Sequence, residues 1–442
     1  MRYVRAASVA VAAAMPMMLG WPSGSLRSSL LSQEVQPTSA NSYEFSGLKV
    51  IHSERRDSDI VAVRLYLLGG TRQVTEEAAG VEALLVETMA LEASEVFRST
   101  GSRTTHEATP DWTVTGFVAL KSDFGSAWSG FASSLVEPQL SEDAIQSAHR
   151  ILAARIRRER TRPEARLASG ARRSAFREHP YRINPLGTLS SLVALTRADL
   201  QRYFDEQFVT SRMLLVVVGA ISAAEVESLI AESLGRLPAG HYRWTLPPEL
   251  PDQKARWVVE HQQLPTSYII GYFDGPSPTH ADYFPFLVSV AYLSGRIGYR
   301  VRQEEALSSA AYASVLDYAR PIGVIHVSSA NPGEAMTQIR DALSEASEYP
   351  VMMNVPTPHT PQWRRYLEQL ALRELFEWSS SDGKAAALAR SYLFFGRLPT
   401  PEEYGRNLLR VDSPSIARMV RRYMRGIQWA FMGDTALMRG RW

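Results

Sequence analysis

The chain of 442 residues holds nine histidines and no cysteine, and the spacing of the histidines decides most of what its side chains can do. None stands four residues from another on one predicted helix. The arrangement in which two imidazoles on one helical face hold zinc, with a Glu between them as general base, is therefore missing. Lack of Cys removes disulfides, thiolate zinc sites, a Cys nucleophile and a lipid-modified Cys together, while oxidising compartments stay permitted. No GxSxG frames a serine nucleophile, and neither GxxxxGK nor GxGxxG is present to cradle phosphates. Trp112, Trp128, Trp244 and Trp257 read as core or interface anchors rather than a ligand cage. One stretch keeps a setting for chemistry: GVEALLVETM, Gly80–Met89, which opens a helix after the strand-like run Ile60–Leu68 and the Gly69-Gly70 turn.

Composition sets the frame for that stretch. At 45% hydrophobic and 21% charged the chain is an ordinary globular sequence, long enough for two or three domains. Its net charge is +2, with basic residues along its whole length, so no nucleic-acid footprint stands out. Met1–Arg5 carries two Arg, and Ala6–Gly20 is an apolar run too short to span a bilayer comfortably. That is a signal-peptide pattern, which predicts export to the periplasm or cell envelope, with an uncleaved N-terminal anchor as the alternative. Residues 1–42 read as signal and disordered lead-in.

From Tyr43 the pattern predicts strands at Leu48–His52, Ile60–Leu68 and Thr113–Leu120, then helices at Ala127–Leu135 and Glu142–Phe176, the latter divided or kinked at Pro163. A helix at Arg197–Phe208, a strand at Met213–Gly219 and a helix at Ala223–Leu234 follow. Pro238–Pro251 carries four prolines and little periodicity, so residues 241–252 are assigned as a linker. The same order then repeats: strands at Ser267–Phe273, Ala311–Leu316, Gly323–Ser328 and Gln428–Met432, with helices between and around them. The fold class predicted is α+β in two homologous halves, 43–240 and 253–442, each a mostly antiparallel sheet with helices packed on it.

Three further stretches carry a family likeness: HPYRINPLGT at His179–Thr188, LTRADLQRYFDEQFVTSRMLLVVVGAIS at Leu195–Ser222, and SYIIGYFDGPSPTHADYFPFLVSVAYLSG at Ser267–Gly295. Together they make the chain resemble the M16 (pitrilysin and insulinase) zinc metallopeptidases in their short, two-half form, over roughly Tyr43–Thr435. The resemblance implies a zinc motif of the form GxxHxxEH on the helix opened by Gly80. Laid without a gap, its His, Glu and His positions fall on Ala83, Val86 and Glu87. Shifted by one residue they fall on Leu84, Glu87 and Thr88. The later Glu ligand, counted back from His179-Pro180, falls on Arg155. Zinc needs imidazole or carboxylate donors, and Arg offers only fixed positive charge. Glu87 therefore reads as a helix-surface carboxylate, and His149, alone on the helix of Arg155, as structural.

The resemblance also implies an Arg and Tyr pair in the second half that grips substrate backbone. Arg302 takes the Arg position in SGRIGYRVRQEEALSSAAYAS, Leu307 matches a family Leu, Ser309 stands where the Tyr would be, and Tyr312 lies three residues beyond. A salt bridge from Arg302 to Glu304 or Glu305 is the structural alternative. What the resemblance implies is a catalytically inactive subunit with no cofactor of its own. Zinc would sit in a homologous HxxEH-bearing subunit, forming a heterodimeric chamber for an extended peptide. A stand-alone or homodimeric peptide-binding scaffold and, last, an active peptidase with a rebuilt site remain as alternatives.

Overall fold

The computed structural model describes residues 40–250, 254–304, 308–348 and 361–441, without the side chains of 303, 304 and 309. Its strands are β1 (Ala40–Phe45), β2 (Leu48–Glu54), β3 (Ile60–Leu68), β4 (Arg103–Ala108), β5 (Trp112–Leu120), β6 (Met213–Gly219), β7 (Arg256–His261), β8 (Ser267–Asp274), β9 (Ser308–Leu316), β10 (Ile322–Ser329) and β11 (Gln428–Gly433). The helices of the first half are α1 (Val81–Glu92), α2 (Ser94–Ser99), α3 (Phe124–Val136), α4 (Glu142–Thr161), α5 (Pro163–Ala175), α6 (Leu189–Ala194), α7 (Arg197–Gln207) and α8 (Ala223–Glu232). Those of the second are α9 (Tyr283–Gly298), α10 (Pro332–Glu348), α11 (Pro361–Glu377), α12 (Ser381–Phe395), α13 (Pro401–Leu409) and α14 (Pro414–Tyr423).

The strands form two sheets, ordered β1-β2-β6-β3-β5-β4 and β7-β11-β8-β10-β9. Apart from β1, the orders superimpose as a repeat. In each, the pair β2-β6 or β7-β11 is parallel and every other neighbour is antiparallel. Both sheets are thus mostly antiparallel, with helices on them, in the α+β class predicted. β6, Met-Leu-Leu-Val-Val-Val-Gly, is buried at every position, as a central strand covered on both faces must be. The first strand begins at Ala40, three residues inside the expected lead-in, because Ala40–Phe45 pairs antiparallel with β2. Pro163 divides α4 from α5: it cannot donate the hydrogen bond that would continue α4, and its fixed φ suits the first turn of α5.

One face of each sheet is covered by its own half. α1, α3, α4 and α7 contribute to the first core with Leu84, Leu85, Phe131, Leu152 and Leu200, and α9, α10 and α14 to the second with Phe286, Ile297, Ile339 and Ile416. The opposite faces are covered by exchange. α12 of the second half lays Ala385, Leu388, Ala389 and Leu393 on Ile51, Tyr66, Val216 and Val218 of the first sheet. Reciprocally, α5 of the first half lays Leu167, Ala171 and Ala175 on Ile270, Tyr272, Ala430 and Met432 of the second. Polar contacts pin both helices: Arg64 Nε donates to Asp382 Oδ1 at 2.8 Å, and Arg166 pairs with Glu260 at 2.5 Å.

The stretch 241–250 has no regular structure, as its prolines predict, yet it is anchored along its length. Trp244 Nε1 donates to Leu393 O at 2.9 Å, and Arg72 lies 4.9 Å over the Trp244 ring. It crosses the junction as a strap.

Candidate functional site

The geometry of α1 starts at its N-terminus. Gly80 has φ 95°, a left-handed backbone, and a Cβ there would lie 2.7 Å from Leu186 O. Gly187, φ 74°, presses back so closely that its Cβ would meet Ala79 O at 2.3 Å. Only glycines permit this approach, and Ser191 Oγ, donating to Ala79 O at 2.8 Å, closes it. The PLGT turn at Pro185–Thr188 thus sets the starting point of α1.

α1 is buried from Val81 to Met89. Glu82 is held by three partners: Thr113 Oγ1 at 2.5 Å, Tyr203 Oη at 2.6 Å and Arg212 Nη2 at 2.6 Å. Arg212 also donates from Nε to Leu68 O at 2.6 Å. With Tyr203, this buried charge pair ties α1 to α7 and to the turn that leads into β6, and nothing in the spacing of Glu82 and Arg212, 130 residues apart, reveals it.

Ala83, Val86, Glu87 and Arg155 line one cleft between α1, α4 and β4, together with His106 and Glu107. Glu87 corrects the sequence expectation. It is buried rather than on the helix surface, 7% exposed, and its Oε2 lies 3.2 Å from His106 Nε2. His106 and Glu107 were missed because β4, Arg-Thr-Thr-His-Glu-Ala, lacks apolar alternation. It is an edge strand with one row of backbone groups unpaired by any described residue, so its β-branched threonines were the only signal. Burial raises the Glu107 carboxyl, and the positive charge of Arg155 opposes that rise. His149 is not among the cleft-lining residues.

Zinc does not fit this donor set. Ala83 has no donor atom, Arg155 brings a cation, and Glu87 with His106 gives only two donors where a metal held by protein needs three or four. Among the described residues no group of three or more His, Asp or Glu side chains converges suitably elsewhere.

In the second half, Arg302 lies in a π-helical turn, Tyr299–Glu304, that follows α9. Its Nη2 stands 2.9 Å from where a Cβ on Gly298 would be. Tyr312 is in β9 opposite His326, ring centroids 5.1 Å apart, on the face covered by α5. Arg302 instead leaves the helix that covers the other face. Ser309 sits where the β9–β10 register shifts, between Ser308 and Ala310, and its side chain lies outside the described residues. So do the side chain of Glu304 and the whole of Glu305 and Leu307.

The His-Pro-Tyr stretch joins the halves. Tyr181 Oη donates to Asp111 Oδ2 at 2.8 Å and accepts from Arg320 N–H at 3.1 Å, while Ala319 N–H reaches the same Asp111 oxygen at 2.8 Å. Arg320 is locked bidentately on Asp274, at 2.8 and 2.5 Å. His179 Nδ1 accepts from Tyr181 N–H at 3.2 Å, which leaves Nε2 to donate to Pro248 O at 3.2 Å. Burial pushes the Asp111 carboxyl up to about 6, and burial pulls the His179 imidazole down to about 4.

Residues 194–351 match the family model described as Peptidase M16 inactive domain. The mitochondrial-processing peptidase subunit beta of Blastocladiella emersonii is 26% identical over 256 residues, covering 53% of this chain and 49% of that protein. The chain is M16-like, with the family's inactive domain matched over residues 194–351. The M16 model spans the end of α6 to the end of α10, across the junction, and does not include α1 or α4. The match spans about half the length of the B. emersonii subunit. Among solved structures, a peptidase M16 inactive domain from Pseudomonas fluorescens has a TM-score of 0.77 at 18% identity, covering 90% of this chain and 98% of that one. A chain of Complex III2 from Candida albicans has a TM-score of 0.74 at 16% identity, covering 90% and 96%. These establish the shared M16 fold.

Proposed function

We propose that this M16-like protein is a non-catalytic subunit that pairs with a zinc-bearing homologue and supplies wall and substrate grip to a peptide chamber. The observation that carries the reading is the cleft on α1. The helix, its glycine seating and its charge pair are all in place, while Ala83 and Arg155 stand where a metal would need donors. The matched relatives support pairing, since one is named as a subunit and another belongs to a complex.

Peptide would add as a strand to β4. Backbone hydrogen bonds supply such binding and tolerate many sequences. Of the two corresponding edges β4 is the open one: β9 is bulged at Ser308–Ala310, and its Ala313 N–H is taken by Ser294 Oγ at 3.1 Å. Export to the periplasm or cell envelope, read from residues 1–20, is part of the proposal. So is the placing of zinc in the partner alone.

Affinity purification of the full chain from its native cells tests the pairing. Stoichiometric recovery of an HxxEH-bearing homologue, with chelator-sensitive peptide cleavage by the pair, is the expected result. A homodimer with no such partner would sink it.

A further inference from the structure

Arg155 is the cation in the cleft that no described carboxylate pairs with. It is half-buried on α4 and lines the cleft, yet it forms no hydrogen bond or ion pair with any described residue. Its neighbours are otherwise engaged: Glu87 is held by His106 at 3.2 Å, and Glu82 is closed off by Arg212, Tyr203 and Thr113. Glu107 feels the guanidinium but stops short of pairing with it. It belongs to the opposite face of β4, because it stands across from Val114, whereas His106 stands across from Thr115.

A guanidinium without a hydrogen-bonded anion is available to a ligand, and its flat row of donors matches a carboxylate in two parallel hydrogen bonds. The row is placed at the end of an open edge strand. A chain added to β4 would bring its own terminus or an acidic side chain against Arg155 near the level of His106 and Glu107.

We propose that the cleft between α1, α4 and the end of β4 is a carboxylate receptor for an extended peptide, with Arg155 as the recognising group. This rests on strand addition at β4. The position from which a metal-binding carboxylate would have come has reversed its charge and now takes the carboxylate from the ligand.

The test uses full-length protein and fluorescein-labelled decapeptide pools that contain no acidic residue. One pool ends in a free carboxylate, a second in an amide, and a third in an amide with a single Asp near the end; binding is read by fluorescence anisotropy. The free acid should bind about ten- to a hundredfold tighter than the amide, the range expected of charge-assisted hydrogen bonds. Arg155→Gln should abolish the difference, with circular dichroism and the melting temperature confirming the fold, and Arg155→Lys should keep part of it. If the Asp pool regains the lost affinity, the receptor takes side-chain carboxylates as well as termini. If all pools bind the native protein alike, the carboxylate receptor is wrong while strand addition stands. If no pool binds, both are wrong.

Discussion

His106 Nε2 stands 3.2 Å from Glu87 Oε2, joining the edge strand β4 to the helix α1 across the mouth of the cleft. The pair gives two donors and no third. The purified protein, dialysed against one equivalent of zinc, should retain substoichiometric metal and cleave no peptide in a chelator-sensitive way. The variant Ala83→His, Val86→Glu, Glu87→His, Arg155→Glu, which supplies the ligands in the ungapped register, should retain zinc measurably by atomic absorption. Stoichiometric zinc on the native chain would defeat the non-catalytic reading.

Glu82 and Arg212 form a charge pair with almost no solvent contact, their side chains 8% and 1% exposed. Removing one member leaves the other buried and unpaired, which costs about 3–5 kcal/mol. Glu82→Gln or Arg212→Met should each lower the urea midpoint accordingly. The double replacement by apolar residues should recover part of the loss, since the desolvation penalty is then gone too. A loss under about 1 kcal/mol for either single variant, the range of a solvated pair, would contradict the burial.

The junction between the halves holds two groups that titrate against each other. Asp111 has its folded value raised from 3.8 to about 6, so its contribution to stability is full below about pH 4 and is lost as pH rises through 6. For Asp111, fully buried, that loss is about 3 kcal/mol. His179 has its folded value lowered from 6.5 to about 4, so its contribution is present above pH 6.5 and is lost as pH falls through 4. Between pH 4 and 6 the two slopes oppose. Asp111→Asn should therefore make unfolding free energy fall more steeply with acid than in the native protein, as measured by urea titration from pH 4 to 8. An unchanged slope would show that Asp111 ionises normally.

Neither half should stand alone. Residues 40–250 expressed without the rest would expose Ile51, Tyr66, Val216 and Val218 once α12 is missing. Such a fragment should bind ANS and aggregate, and addition of residues 254–442 should restore a 1:1 complex by size-exclusion chromatography. A monomeric, well-dispersed fragment would mean that α12 contributes little to that face.

Legibility followed burial. β6 could be bounded to the residue because a strand covered on both faces is an unbroken apolar run closed by Gly219. β4 and β7 were not foreseen, since edge strands answer to solvent on one side and need no apolar period. The apolar stripe of α12 shows that it is buried, but not that it is buried against β3 and β6, more than 150 residues away in sequence. Within the cleft, counting from Gly80 and from His179 placed Ala83, Val86, Glu87 and Arg155, because both glycine and His-Pro-Tyr landmarks are fixed by backbone geometry. His106 and Glu107 had no such landmark. Glu87 was misjudged because a carboxylate on a helix is usually solvated, and the imidazole that lets it stay buried lies on another element.

The reciprocal loan of α5 and α12 bears on how such a chain can change over generations. A repeat that keeps its helices to itself can lose one copy and survive as the other. Here each copy has given away the cover for its own back face, so the two are interlocked and neither can be discarded. Substitutions along α12 are then constrained by the sheet of the first half, and those along α5 by the sheet of the second. A cleft on α1 that offers no full set of metal donors can drift to new uses while that interlock preserves the frame around it.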